Sequence, residues 1–203
     1  MTTQDQTLWQ LYREGDKQAL GHLVERYYRA LKHYGLKFMV DESVVEDCLQ
    51  ELFLQLWQNR VQINATDSVK HYLFKALRHH ILQYHRSQKK APLHELDWDM
   101  SIAEETDSET LLIQRESLIQ LTNALQAQLA SLPAREREAL YLRYYGDLSI
   151  PEIAEVMNVN RHSVSNFLQK AITKLRKSSL SPVLLTICII HKTIFLLGGY
   201  CQA

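Results

Sequence analysis

One stretch, residues 132–177 (LPAREREALYLRYYGDLSIPEIAEVMNVNRHSVSNFLQKAITKLRK), constrains the fold of this chain more than any other. Its breakers and apolar spacing predict helices in quick succession. Pro133 stands where a first helical turn tolerates a missing N–H, and Gly146 is placed to supply the left-handed residue that ends that helix. Ser149 with Glu152 forms a capping box, and Pro151 lies inside the first turn of the next helix. Ile150, Ile153, Ala154 and Met157 then fall at i, i+3, i+4 and i+7, which makes one apolar face.

The turn after Met157 is the informative part. A helix-turn-helix needs a small residue where two helices cross, a residue tolerant of positive φ in the turn, and a branched apolar residue pinning the second helix. Ala154, Asn158 and Val164 meet those needs, and Asn visits the left-handed region more readily than most residues. Asn160 can cap the last helix, whose buried stripe is Val164, Leu168, Ala171, Ile172 and Leu175. The other face carries Arg161, His162, Ser163, Ser165, Asn166, Gln169 and Lys170, and no acid follows Glu155. Residues at the start of such a helix reach base edges in the major groove, so the motif points to duplex DNA.

Composition sharpens this. At 203 residues with 46% hydrophobic content, 6 Gly and 4 Pro, the chain suits a helical, core-bearing protein of one large or two small domains. A net charge of +0 argues against a protein that simply coats nucleic acid. The balance conceals segregation. Lys70, Lys75, Arg78, Arg86, Lys89 and Lys90 occur with no acid between Ser68 and His94, and then Glu95, Asp97, Asp99, Glu104, Glu105, Asp107 and Glu109 follow with no base. Cys48, Cys188 and Cys201 form no CxxC pair and no even set, which speaks against a disulfide framework. The N-terminal residues lack a basic flank followed by an apolar core, so no signal peptide is expected and the cytoplasm is the expected location.

Upstream, Thr7 to Arg13 reads as a short helix with Leu8, Leu11 and Tyr12 on one side, broken by Gly15. Asp16 then caps a helix running to about Tyr34, with Leu20, Leu23, Val24, Tyr27 and Leu31 as its core stripe. Residues 41–60 predict another helix, for which Ser43 and Glu46 form a second capping box. Its core stripe is Val45, Leu49, Leu52, Phe53 and Leu56, and Asp47, Gln50, Glu51 and Gln55 share the opposite side with Trp57 near the edge. That face is either a solvated acidic surface or a docking surface for a helical partner, because an aromatic among acids is a common anchor.

A polar loop, 61–68, precedes a helix over 69–87 whose buried side is Val69, Leu73, Ala76, Leu77 and Ile81. Its other side mixes Lys70, His71, Lys75, Arg78 and Arg86 with Tyr72, Phe74 and Tyr84. Cations interleaved with aromatics suit single-stranded nucleic acid, the cations holding phosphates and the rings stacking bases. His71, His79, His80 and His85 lack the i, i+4 spacing that puts two imidazoles on one ion, so no metal is expected. Without GxGxxG, P-loop, GxSxG or a supportable nucleophile–His–acid grouping, neither enzyme activity, a cofactor nor a small-molecule substrate is expected.

The order of parts resembles a group 4 (extracytoplasmic-function) sigma factor of bacterial RNA polymerase. VVEDCLQELFLQLW stands where that family has an AED–Q–F–W helix, HYLFKALRHHILQYHR where it has an aromatic–Leu helix ending in Arg, and 132–177 is similar to its region 4. The resemblance implies an all-α chain of two small helical domains: a region 2 bundle (1–90) and a region 4 helix-turn-helix (113–179), joined by an acidic linker (91–112) and followed by an apolar tail (180–203). Asp47, Gln50, Glu51, Leu56 and Trp57 would then grip the clamp helices of the polymerase β′ subunit, with the β flap as a further contact. The loop 61–68 with Lys70, His71, Tyr72, Phe74, Lys75, Arg78, His79 and Arg86 would capture the melted −10 element. Arg161, His162, Ser163, Ser165, Asn166, Gln169 and Lys170 would read the −35 element. His79 stands where the family usually has Asn, and Gln83 where it often has Asp. The resemblance also implies an anti-sigma factor, often membrane-bound in the family. The alternative from the residues alone is a helix-turn-helix regulator that never touches polymerase.

The tail stays apolar from Val183 to Leu197, which as a helix is roughly 22 Å against a bilayer core of about 30 Å, and His191 and Lys192 interrupt it. Packing on its own domain or a second copy is the favoured reading, ahead of a regulatory or membrane-surface contact and, last, a true membrane span.

Overall fold

The computed structural model describes residues 3–87 and 124–176, all of whose regular structure is helical. The order is α1 (Thr3–Arg13), α2 (Lys17–Gly35), α3 (Glu42–Asn59), α4 (Val69–Ser87), α5 (helical residues 124–130), α6 (Ala134–Tyr144), α7 (Ile150–Met157) and α8 (Arg161–Arg176). The linker 91–112 and the tail 180–203 lie outside the described residues. The chain divides into two compact units, one holding α1–α4 with α7 and the start of α8, the other holding α5, α6 and the rest of α8.

In the first unit the starts of α2 and α3 have a chemical cause. Gly15 takes a φ of 103° after α1, and the Asp16 carboxylate then accepts the backbone N–H groups of Gln18 and Ala19 at 2.8 and 3.2 Å. At α3 the expected Ser43–Glu46 box is not the cap. Asp41 is, accepting from the Ser43 N–H at 3.0 Å and from its hydroxyl at 2.7 Å. Glu46 instead holds Lys32 of α2 at 2.8 Å. A carboxylate placed earlier wins the orphan donors, and the later acid is free to cross-link two helices.

The core of this unit runs through Leu23, Leu31 and Tyr34 of α2, Val45, Leu49 and Leu52 of α3, and Leu73, Phe74, Leu77 and Ile81 of α4, all nearly inaccessible to solvent. Tyr34 and Phe74 place their rings 5.1 Å apart at 56°, a tilted pair of the favoured kind. α1 is longer than the expected Thr7 start and its buried side differs. Trp9 and Tyr12 are buried, whereas Leu11 is exposed. The Tyr12 hydroxyl donates to the Leu56 carbonyl at 2.5 Å near the end of α3, and Trp9 Nε1 donates to the Asn64 carbonyl at 3.2 Å. Arg13 Nε reaches the Ile63 carbonyl at 2.6 Å. α1 therefore fixes the loop between α3 and α4.

In the second unit α6 ends differently from the expectation. Gly146 does not supply the left-handed residue. Asp147 does, with φ 49°. Gly146 is required for space instead, because a Cβ there would sit 2.7 Å from the Leu142 carbonyl oxygen. That oxygen belongs to the backbone and cannot swing aside, so Gly146→Ala is expected to destabilise the protein by about 1–3 kcal/mol, readable as a lowered urea midpoint with unchanged m.

Candidate functional site

Among the described residues, three surfaces that carry the expected site residues stay accessible. The first lies along α2 and α3. Asp47, Gln50 and Glu51 are exposed on α3, where Gln55 Nε2 donates to Glu51 Oε1 at 2.6 Å. Beside them Leu20, Val24 and Tyr28 of α2 and Phe53, Leu54 and Trp57 of α3 line an open apolar groove, with Gln50 and Lys17 at its edge. The Trp57 ring is half-buried, with the Arg60 guanidinium 4.4 Å and the Lys17 ammonium 5.9 Å from its centroid. Such cation–π contacts hold a large ring in one orientation. Leu56 does not belong to this surface. It is 3% exposed and packs in the core. Leu20, Val24 and Phe53 were expected to be core, but their partial exposure makes them groove walls. No helical period separates a half-buried wall from a buried stripe.

The second surface is the outer side of α4. Lys75, His79 and Arg86 are exposed, and their i, i+4, i+11 spacing puts them on one side of the helix. Two residues expected there are not. Phe74 is fully buried against Tyr34, and Arg78 is 8% exposed. α4 packs against α1, α2, α3 and α7, so its buried arc is wider than a one-face stripe and takes in positions 74 and 78. Tyr72 is half-buried, its ring 5.1 Å from that of Trp9. Lys70 and His71 are half-buried as well.

α7 closes over the first part of this surface. Lys75 Nζ lies 3.1 Å from Glu155 Oε2, and the bond with Lys75 holds the Glu155 carboxyl below its ordinary pKa. The Ser68 hydroxyl accepts the His71 N–H at 3.2 Å and is hydrogen-bonded to Glu152. Burial holds the His71 imidazole below its ordinary pKa against the pull of Glu155. Its Nε2 is 3.5 Å from Glu155 Oε2 without a hydrogen bond, so at neutral pH it faces that carboxylate uncharged.

The third surface is on α8. The capping box at α7 is present: Ser149 N donates to Glu152 Oε2 at 2.8 Å and Glu152 N to Ser149 Oγ at 3.5 Å. Asn158 takes φ 53°, ψ 53°, and Val159 N closes on the Ala154 carbonyl at 2.9 Å, as a left-handed helix end requires. Asn160 Oδ1 then accepts the Ser163 N–H at 2.7 Å and starts α8. Val164, Leu168 and Ala171 are buried, while Arg161, His162, Ser165, Gln169 and Lys170 are exposed and Ser163 and Asn166 half-buried. The later part of α8 is tied to α6 through Lys174 Nζ and Glu136 Oε2 at 3.1 Å. An exposed face with cations and amides, and no acid of its own, is suited to phosphates and base edges.

Among the described residues no group of acids, histidines and cysteines is placed to hold a metal ion, and no helix is long and apolar enough to cross a membrane.

The sigma-70 region 2 family matches residues 23–91, and the sigma-70 region 4 family matches residues 122–175. The chain belongs to the extracytoplasmic-function sigma factors of the sigma-70 family. It is a non-enzymatic sigma factor that initiates transcription by binding RNA polymerase and DNA, and its second half carries the DNA-binding helix-turn-helix. Curated relatives agree along nearly their whole length. This sigma factor is 23% identical to the ECF RNA polymerase sigma factor SigW of Bacillus subtilis, over 81% of this chain and 91% of SigW. It is 27% identical to the RNA polymerase sigma factor NccH of Alcaligenes xylosoxydans, over 84% of this chain and 92% of NccH. Among solved structures it resembles CnrH in complex with the cytosolic domain of CnrY, with a TM-score of 0.57 at 20% identity, covering 86% of this chain and 96% of that one.

Proposed function

We propose that this sigma factor divides its work among the three surfaces. The α2–α3 groove, lined in part by Trp57 and with Asp47, Gln50 and Glu51 beside it, docks the clamp helices of the β′ subunit. The loop after α3 and the Lys75–His79–Arg86 side of α4 capture the melted −10 element, where binding of unstacked bases offsets the cost of opening the duplex. Lys70, His71 and Tyr72 contribute from the half-buried margin, and Phe74 and Arg78 support that face from within. Arg161, His162, Ser165, Asn166, Gln169 and Lys170, with Ser163 in the first turn, read the −35 element in the major groove. Residues 1–90 serve as region 2 and 113–179 as region 4.

The observation that carries this reading is the α2–α3 groove. Apolar walls, one pinned aromatic and an acidic–amide rim are the makeup of a helix-docking site, and a DNA-binding regulator has no use for one. An anti-sigma factor is a further expected partner, supported by the likeness to CnrH, which was solved with the cytosolic domain of CnrY. Because polymerase supplies much of the affinity, a net charge of +0 is compatible with promoter binding.

The test is run-off transcription with core polymerase on fragments that include the protein's own upstream region. Core-dependent specific starts are expected, and Asp47→Ala with Gln50→Ala together should lower them at least tenfold, roughly the loss of 1.4 kcal/mol of docking energy. Undiminished starts from that double variant would remove the groove rim from the docking surface.

A further inference from the structure

The contact between α7 and α4 has no part in the division of labour above, yet it lies on the face assigned to the −10 element. α7 begins the helix-turn-helix of region 4, whereas α4 belongs to region 2. The two helices nonetheless pack within one compact unit. Two points fasten them: Lys75 to Glu155 at 3.1 Å, and the Ser68 hydroxyl to Glu152. His71 lies between, its Nε2 facing Glu155. The N-terminal half of the α4 surface thereby has carboxylates standing over it, although Lys75 keeps about half of its side chain open to water.

We infer that the protein free of polymerase is self-closed, with the Glu155 and Glu152 carboxylates of α7 standing where the backbone phosphates of single-stranded promoter DNA would lie. One ammonium cannot hold a carboxylate and a phosphate in the same place, so Lys75 exchanges Glu155 for DNA when the strand is captured. α7 must leave α4 for that exchange, which separates the two recognition elements as it exposes the first of them. The device suppresses binding of stray single strands by a protein that should engage DNA only within the polymerase. Both side chains of the ionic contact are about half exposed, 52% for Lys75 and 57% for Glu155. A pair of that kind is worth a factor of about two to five in an equilibrium, and rising salt weakens it. The closure is therefore weak enough for polymerase to override. This inference rests on α4 being the −10 face.

A zero-length carbodiimide, which joins an amine to a carboxylate in contact, tests it on the full-length protein without polymerase. An amide between Lys75 and Glu155 is expected in the digest by mass spectrometry, and mixed-sequence single-stranded DNA at saturation should suppress it. Glu155→Gln should bind that DNA about two to five times more tightly. Glu25→Gln, which removes a still more exposed carboxylate on α2, away from α7, should not. Absence of the adduct, an adduct yield unmoved by DNA, or the same gain in both variants would each overturn the closure. Lys75→Ala assayed in parallel for promoter melting by the holoenzyme separates the two ideas. Lost melting alongside any of those negative results removes the closure alone, whereas unchanged melting removes the −10 assignment of Lys75 and the closure with it.

Discussion

Trp57→Ala is expected to weaken binding to core polymerase about thirtyfold, close to 2 kcal/mol, the loss typical of a central aromatic anchor. The size follows from the position of the ring. It is held by Arg60 at 4.4 Å and Lys17 at 5.9 Å, and it lines an apolar groove together with Leu20, Val24 and Leu54. A ring already fixed in orientation loses little entropy when a partner helix covers it. Titration of labelled core polymerase with the variant measures the effect, and an unchanged circular dichroism spectrum and urea midpoint would assign it to docking rather than folding. A loss below twofold would mean that the partner helix does not cover Trp57.

Phe74→Ala is expected to cost about 3–5 kcal/mol of stability, a large share of what a domain of this size has. The ring is wholly buried and packs 5.1 Å from that of Tyr34, so truncation leaves a cavity between α4 and α2 that a close-packed core cannot fill. Urea unfolding reads the loss directly. Phe74→Leu should restore most of the stability and also promoter melting, because the structure gives Phe74 no face toward DNA. Stable folding of the alanine variant with selective loss of single-strand binding would instead return Phe74 to the nucleic-acid surface.

Phe74 also shows where sequence reasoning reaches its limit. The bounds of α4, the loop before it, the capping box of α7 and the left-handed Asn158 are local matters of propensity and hydrogen bonding, and all were legible. So was the exposed side of α8, because the first turns of that helix have one buried face. α4 instead meets four other helices, and the number of neighbours a helix has is not written in its own period. Phe74 and Arg78 were therefore placed on the wrong side. Leu56 was counted both with the core and with the docking surface, and burial decides for the core. The groove walls were misjudged for the opposite reason, since the open groove between α2 and α3 leaves Leu20, Val24 and Phe53 only half covered. Gly146 and Asp147 exchanged roles because a close backbone oxygen demands the glycine at one position while a φ of 49° falls to the next. The contact of α7 with α4 joins residues some eighty positions apart and has no sequence signature.

The region 2 match begins at residue 23, yet the bundle does not. Tyr12 supplies the donor for the Leu56 carbonyl, Trp9 covers Tyr72 and tethers the loop at Asn64, and Arg13 holds that loop at Ile63. Anyone dissecting the protein at the family boundary would remove α1 and the first turns of α2. The fragment would keep every residue assigned to the −10 element but lose the brace that sets their height and spacing. Failure of such a fragment to bind promoter would then report a missing scaffold rather than a missing contact, and residues 3–22 have to travel with region 2 in any minimal version of this protein.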